Sequence, residues 1–200
     1  TSYDMHFAKD YLEVNEKAIK NMENIINKEQ IDCDFEIQNS YVYTTKKEEV
    51  DLLKKEQKVL KSLAYHAELT KNVSLPFKVE SALCFKNQAK FNPLKYILGL
   101  SKTIIEKNGQ IYTNTIAVDI EKDKKNYVVY TDNGKMIKAK HVIMATRYPF
   151  MNVPGFYFSK LYQSTSYIIA LDTKKESLKD MYINVSSRIY CFRTAKFNGK

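Results

Sequence analysis

"GQIYTNTIAVDIEKDKKNYVVYTDNGKMIKAKHVIMAT", residues Gly109–Thr146, is the stretch that decides how this chain is read. It holds a succession of strand-like runs: a short one after Gly109, then NTIAVDI, YVVYT with KMIKA, and VIMAT. Asp132-Asn133-Gly134 separates YVVYT from KMIKA. Asn and Gly tolerate the left-handed backbone that tight hairpin turns need, so this spacing predicts a β-meander. The last run, Val142-Ile143-Met144-Ala145, is continuously apolar and predicts a strand buried on both faces. It ends in the small residues Ala145 and Thr146, followed by Arg147 and Tyr148-Pro149. Either the strand simply leaves the core there, or a ligand approaches just past its carboxyl end, as in α/β folds. Spacing alone leaves both readings open.

Outward from this unit, Asn92-Pro93 opens a helix, because asparagine caps and proline suits the first helical position. Asn108-Gly109 closes it. Residues 3–28 predict a helix with an apolar face at Phe7, Tyr11, Val14, Ala18, Met22 and Ile25. IDCDFEIQNSYVYTT (31–45) predicts two short strands, and 46–65 a helix buried through Val50, Leu53, Val59, Leu60 and Leu63. The stretch from Ser74 to Pro93 reads as extended and loop-rich. TSYIIALDT (165–173), DMYINV (180–185) and IYCFRTA (189–195) read as further strands. The expectation is a mixed α/β (α+β) chain with two sheets, the larger assembled from distant segments.

Composition narrows the function classes. Hydrophobic content of 44% and charged content of 28% are those of an ordinary globular protein. No apolar run approaches the roughly 20 residues of a membrane helix, and the first residues lack a signal-peptide pattern. A cytoplasmic protein without stable membrane insertion is therefore expected. The net charge of +9 is spread along the chain, as in KKEEVDLLKKEQK, with acidic residues between the lysines. A nucleic-acid binder concentrates its basic residues, so no nucleic-acid partner is expected. Cys33, Cys84 and Cys191 form no Cys-x-x-Cys and read as reduced, mostly buried residues. His6, His66 and His141 show no metal-ligand spacing, and no metal is expected. Only three of the 32 basic residues are arginines: Arg147, Arg188 and Arg193. A lysine-rich chain can keep arginine where a planar fork is needed, which draws attention to the last quarter.

The order of helix, Asn-Gly, short strand, NTIAVDI, Gly-turn meander and KHVIMAT resembles the later part of the FAD-binding domain in the glycine/D-amino-acid oxidase (DAO) family. In that family a Thr-x-Val-x-x-Ile signature precedes the meander. Here the positions are Thr115, Ala117 and Ile120, with alanine in place of valine. IDCDFEIQNSYVYTT, LPFKVESALCFKNQAKFNPLKYILGL and YPFMNVPGFYFSKLYQSTSYIIAL are similar to a bacterial branch, some of whose members add a Rieske domain.

The resemblance implies FAD as cofactor and an amino acid or related amine as substrate. It implies oxidation at a carbon–nitrogen bond, with hydride passing to the flavin. Thr115, Ala117, Ala145 and Thr146 would then lie on the cofactor side. Arg193 in YCFRTAKFNG is similar to the family's Gly-Phe/Leu-Arg-Pro stretch, although Cys191 and Thr194 replace the glycine and proline. It would hold the substrate carboxylate, with Arg147 as the second candidate.

The implied layout is a substrate lobe over residues 1–92, a partial FAD-binding domain over 93–150, and a return to the substrate sheet over 151–200. None of the five glycines forms a Gly-x-Gly-x-x-Gly fingerprint. The resemblance therefore implies a middle piece of a larger enzyme, inactive alone and binding FAD weakly or not at all. No nucleophile, triad or carboxylate pair stands out, as expected where a cofactor carries the redox chemistry. Tyr41, Tyr43, Tyr167 and Tyr190 read as packing residues. A non-enzymatic interaction or scaffold domain lacking the cofactor half remains the alternative.

Overall fold

The computed structural model describes residues 5–151, 155–172 and 178–195. The described residues form two compact units, one drawn from Thr1–Gly109 and Asp172–Lys200, the other from Gln110–Leu171.

The first unit is built on a five-stranded mixed sheet, and each strand explains its own place. Strand β1 (Glu36–Thr44) and strand β3 (Ser81–Lys90) pair antiparallel, with Tyr41 opposite Cys84 and Tyr43 opposite Ala82. Strand β2 (Ala67–Thr70) covers the outer edge of β3. On the other side of β1 lies β7 (Met181–Asn184), running parallel, and β8 (Cys191–Phe192) closes that edge. The spatial order is β2-β3-β1-β7-β8. The larger sheet thus joins segments from opposite ends of the chain, as expected.

Strand alternation gives the sheet two apolar faces. On one face Tyr43, Ala82 and Tyr182 pack under Leu75 and Val79 from the segment between β2 and β3. On the other, Leu83 and Ala67 pack against Leu53 and Leu60 of helix α2 (Val50–Ser62), joined by Leu12 of helix α1 (Met5–Lys28). Leu53 and Leu83 are the largest apolar side chains with almost no exposure (1% and 0%).

A third cluster, Ile26, Ile31 and Cys33, joins the end of α1 to Tyr96 and Leu100 of helix α3 (Pro93–Glu106). Asn92 caps α3, its side chain accepting from the N–H groups of Leu94 and Lys95. Gly99 of α3 faces Ile31 so closely that an added Cβ would lie 2.5 Å from Ile31 Cγ2. Gly99→Ala would gain about 1 kcal/mol of helix propensity but incur about 1–3 kcal/mol of overpacking. A net loss of about 1 kcal/mol is expected in urea denaturation. A gain in stability would show that Ile31 yields freely.

The second unit holds the meander: β4 (Ala117–Asp123), β5 (Asn126–Thr131) and β6 (Met136–Ala139), all antiparallel. Its second turn follows the expectation. Gly134 has φ +75°, its N–H donates to Thr131 O, and Thr131 Oγ1 donates to Asn133 Oδ1 at 2.7 Å.

Several expectations are corrected. VIMAT is neither a strand nor buried; Ile143 is 89% exposed. No described strand pairs with it, and an extended segment without a ladder partner cannot satisfy its backbone inside a core. TSYIIALDT is likewise without strand structure through Asp172, and Thr173 lies outside the described residues. The short strand after Gly109 does not form. IDCDFEIQNSYVYTT yields one nine-residue strand, irregular between Gln38 and Ser40, instead of two. On α1 the expected face is mostly solvent-facing, with Phe7, Tyr11, Val14 and Ile25 exposed. Of that face Met22 is covered, and the covered positions beside it are Leu12 and Ile26, which meet the sheet and α3. Strand β2 lay unread in the sequence. Cys33 and Cys84 are buried, whereas Cys191 is exposed.

Candidate functional site

A groove in the first unit lies where the parallel strands β1 and β7 end. Parallel strands finish on the same edge of a sheet, the place where open α/β sheets receive ligands. Tyr43 stands one residue from the end of β1, and Asn184 is the last residue of β7. The groove encloses about 550 Å³ and is lined by Tyr43, Thr45, Lys46, Phe77, Asn184, Ser186, Ser187, Arg188, Tyr190 and Phe192. That volume lies within the usual range for small-molecule sites, about 300–1,000 Å³.

Three rings form its apolar wall. Tyr43 and Phe77 have centroids 5.9 Å apart, Phe77 and Phe192 6.0 Å, and Tyr43 and Phe192 6.5 Å. These tilted and edge-on arrangements suit the ring quadrupoles. Phe192 reaches the wall because it is in register with Tyr182, which in turn is in register with Tyr41. Tyr41 and Tyr182 stack at 5.2 Å, and the Tyr182 hydroxyl hydrogen-bonds Ser74 Oγ at 2.7 Å. Burial raises the hydroxyl pKa of Tyr43 above its ordinary value, so the phenol stays protonated.

The polar rim is held by two small networks. Asn184 Nδ2 donates to Arg188 O at 2.7 Å, and Tyr190 N–H donates to Asn184 Oδ1 at 2.7 Å. One side chain thereby fixes the turn between β7 and β8. Glu49, in the single turn of 3-10 helix Lys47–Glu49, is the second anchor. Its Oε2 accepts from Thr44 Oγ1 at 2.6 Å and from Ser186 Oγ at 2.7 Å, and Lys46 Nζ lies 3.1 Å from Oε1. The segment after β7 is thus tied to the segment after β1.

These donors hold the Glu49 carboxyl below its ordinary 4.5, the Thr44 hydroxyl contributing most, then Ser186. A carboxylate with a depressed folded pKa stabilises fully above its unfolded value; that stability is lost as pH falls through the folded value. Glu49→Gln is therefore expected to flatten the loss of stability as pH falls below the ordinary carboxylate range, relative to the parent chain, read by urea midpoints at each pH. An unchanged acid slope would remove Glu49 as an anchor.

The residues expected from the sequence are not gathered here. Arg193 is exposed just beyond β8, is not part of the groove lining, and makes no ion pair among the described residues. Arg147 is exposed in the second unit. Thr115 is half-buried before β4, its Oγ1 donating to Thr113 O at 3.1 Å, and Ala117 opens β4 opposite Thr131. Ala145 and Thr146 are exposed. Lys46 and Phe77 carried no signal in the sequence, and Arg188 was marked only by the scarcity of arginine.

The described residues do not by themselves fit a dinucleotide pyrophosphate. No glycine turn opens a helix, and the first free N–H groups of α3 are taken by the Asn92 side chain. No cluster of three or more His, Cys, Asp or Glu able to hold a metal occurs among the described residues. Among the described residues, no helix is long and apolar enough to cross a membrane.

Comparison with known proteins agrees with the fold. YhfW of Bacillus subtilis, which carries the name of a Rieske 2Fe-2S iron–sulfur protein, is 32% identical over 198 residues, 99% of this chain but 39% of that protein. Glycine oxidase from Geobacillus kaustophilus superimposes with a TM-score of 0.67 at 13% identity, over 89% of this chain and 50% of its own. L-proline dehydrogenase from P. horikoshii gives 0.63 at 15% identity, over 86% and 49%. The chain therefore spans about two fifths to one half of these relatives. The family model described as DAO, FAD dependent oxidoreductase, matches residues 3–198, and this chain belongs to that family.

Proposed function

We propose that these 200 residues serve a FAD-dependent enzyme that oxidises a carbon–nitrogen bond of an amino acid or related amine. The observation that carries this reading is the family match over residues 3–198. The groove walled by Tyr43, Phe77 and Phe192 at the ends of β1 and β7 is consistent with it.

In this reading residues 1–92 and 151–200 supply the substrate side, and 93–150 part of the flavin side. Thr115, Ala117, Ala145 and Thr146 approach the cofactor, and Arg193, with Arg147 second, holds the substrate carboxylate. Bound flavin would supply the redox chemistry, with Thr115, Ala117, Ala145 and Thr146 on its side. These residues orient a small molecule and exclude water from it. Neither nucleic acid nor membrane is a partner in this scheme.

The test uses the complete gene product. A bound flavin band, bleached anaerobically by an amino acid or amine and not by hydroxy acids, is the expected result. Bound flavin untouched by every such substrate would overturn the substrate class. Purified protein that neither contains nor takes up flavin would instead favour a scaffold role.

A further inference from the structure

We propose that Asn108 is a site of spontaneous covalent modification, losing its side-chain amide through a cyclic imide to give aspartate and isoaspartate. The inference stands on the end of α3 and needs neither flavin nor substrate.

The chain holds three Asn-Gly pairs, Asn108-Gly109, Asn133-Gly134 and Asn198-Gly199, of which the last lies outside the described residues. In such a pair the glycine backbone nitrogen can attack the asparagine Cγ, because no Cβ stands in its way. The N–Cγ bond forms, the Cγ–Nδ2 bond breaks, and ammonia leaves with the glycine's amide proton. Water then reopens the ring at either carbonyl. One opening gives aspartate; the other routes the main chain through the side chain and gives isoaspartate. No oxidant or reductant takes part.

The two described pairs differ in what restrains them. Asn133 Oδ1 accepts from Thr131 Oγ1 at 2.7 Å and from the Lys135 N–H at 3.3 Å, which fixes the amide. The Gly134 N–H donates to Thr131 O at 3.0 Å, inside a turn whose flanking Tyr130 and Met136 are paired. Asn108 is exposed, and its side chain makes no hydrogen bond among the described residues. It stands just past α3 at φ +62°, the left-handed position that closes a helix. One terminal bond holds its glycine, from the Gly109 N–H to Ile104 O at 2.8 Å. Residues 110–116 beyond it belong to no helix or strand. A helix end of this kind opens at lower cost than a paired hairpin.

The reactive pair is built into the turn. An added Cβ at Gly109 would lie 2.8 Å from Ile104 O, so the close of α3 requires the glycine that leaves the nitrogen open to attack. Either product sets a carboxylate at the helix C-terminus, against the dipole. That carboxylate also adjoins Lys107, whose Nζ lies 2.6 Å from Glu29 Oε1. Isoaspartate further lengthens the main chain where the first unit ends at Gly109 and the second begins at Gln110.

The test ages the 200-residue chain in mildly alkaline buffer and follows each asparagine by peptide mapping and mass spectrometry. Fragmentation of the modified peptides separates aspartate from isoaspartate. Asn108 is expected to convert about tenfold faster than Asn133, as a modest difference in local opening would give. In urea strong enough to unfold the chain, the two rates should converge. Asn108→Gln should stop conversion at 108, since its longer side chain cannot close the same ring, and leave Asn133 at its parent rate. Should that variant fail to fold, the comparison in urea still decides. Equal or faster conversion at Asn133 in the folded chain, a gap that persists in urea, or conversion without isoaspartate would each overturn the proposal.

Discussion

Leu83→Ala is expected to destabilise the first unit by about 3–4 kcal/mol, in the middle of the range for truncating a buried leucine. Leu83 is fully enclosed (0% exposed) and sits on β3, which pairs with β1 on one side and β2 on the other. Its side chain packs in the cluster with Leu53, Leu60 and Ala67, so removing it empties the space between the sheet and α2. Strands paired on both sides relax little, and the cavity term persists beside the lost transfer energy. Urea denaturation should show a lower midpoint with an unchanged m-value. A loss under about 1 kcal/mol would mean that α2 collapses onto the gap. Leu52→Ala, on the exposed side of α2, is the matched control and should change little.

Arg193→Lys, made in the complete gene product, is expected to lower kcat/KM for amino acids by about 2–4 kcal/mol, roughly 30- to 900-fold. Most of it should appear in KM. Lysine keeps the charge but loses the two-pronged geometry that a carboxylate matches. Amines without a carboxylate should be affected far less. Equal losses on both substrate types, or no loss, would remove Arg193 from the substrate site.

How legible the fold was depends on the range of the interactions that fix each element. The Asn92 cap of α3 and the Asp132-Asn133-Gly134 turn are local, completed within three or four residues, and both form as read. Local signals of this kind survive any tertiary context. The face of α1 did not survive it. Leu12 is covered by the sheet and α2 cluster and Ile26 by α3, while Phe7 and Tyr11 stay exposed. Which positions are covered is a property of the partner surface.

The sequence by itself determined the helices, the meander, the mixed α/β class and, through quoted motifs, the family. It also determined the apolar character of VIMAT and TSYIIAL, but not a ladder partner for either. Ile143 and Ile168 are each 89% exposed because strand structure needs a neighbour to take its backbone hydrogen bonds. Only the tertiary structure decided that β1 and β7, some 140 residues apart, run side by side as shown by the Tyr41–Tyr182 register. That pairing brings Tyr43, Phe77, Arg188 and Phe192 to one groove. A site assembled across such separations leaves no spacing in the chain to read, since its residues meet through sheet register and not through sequence.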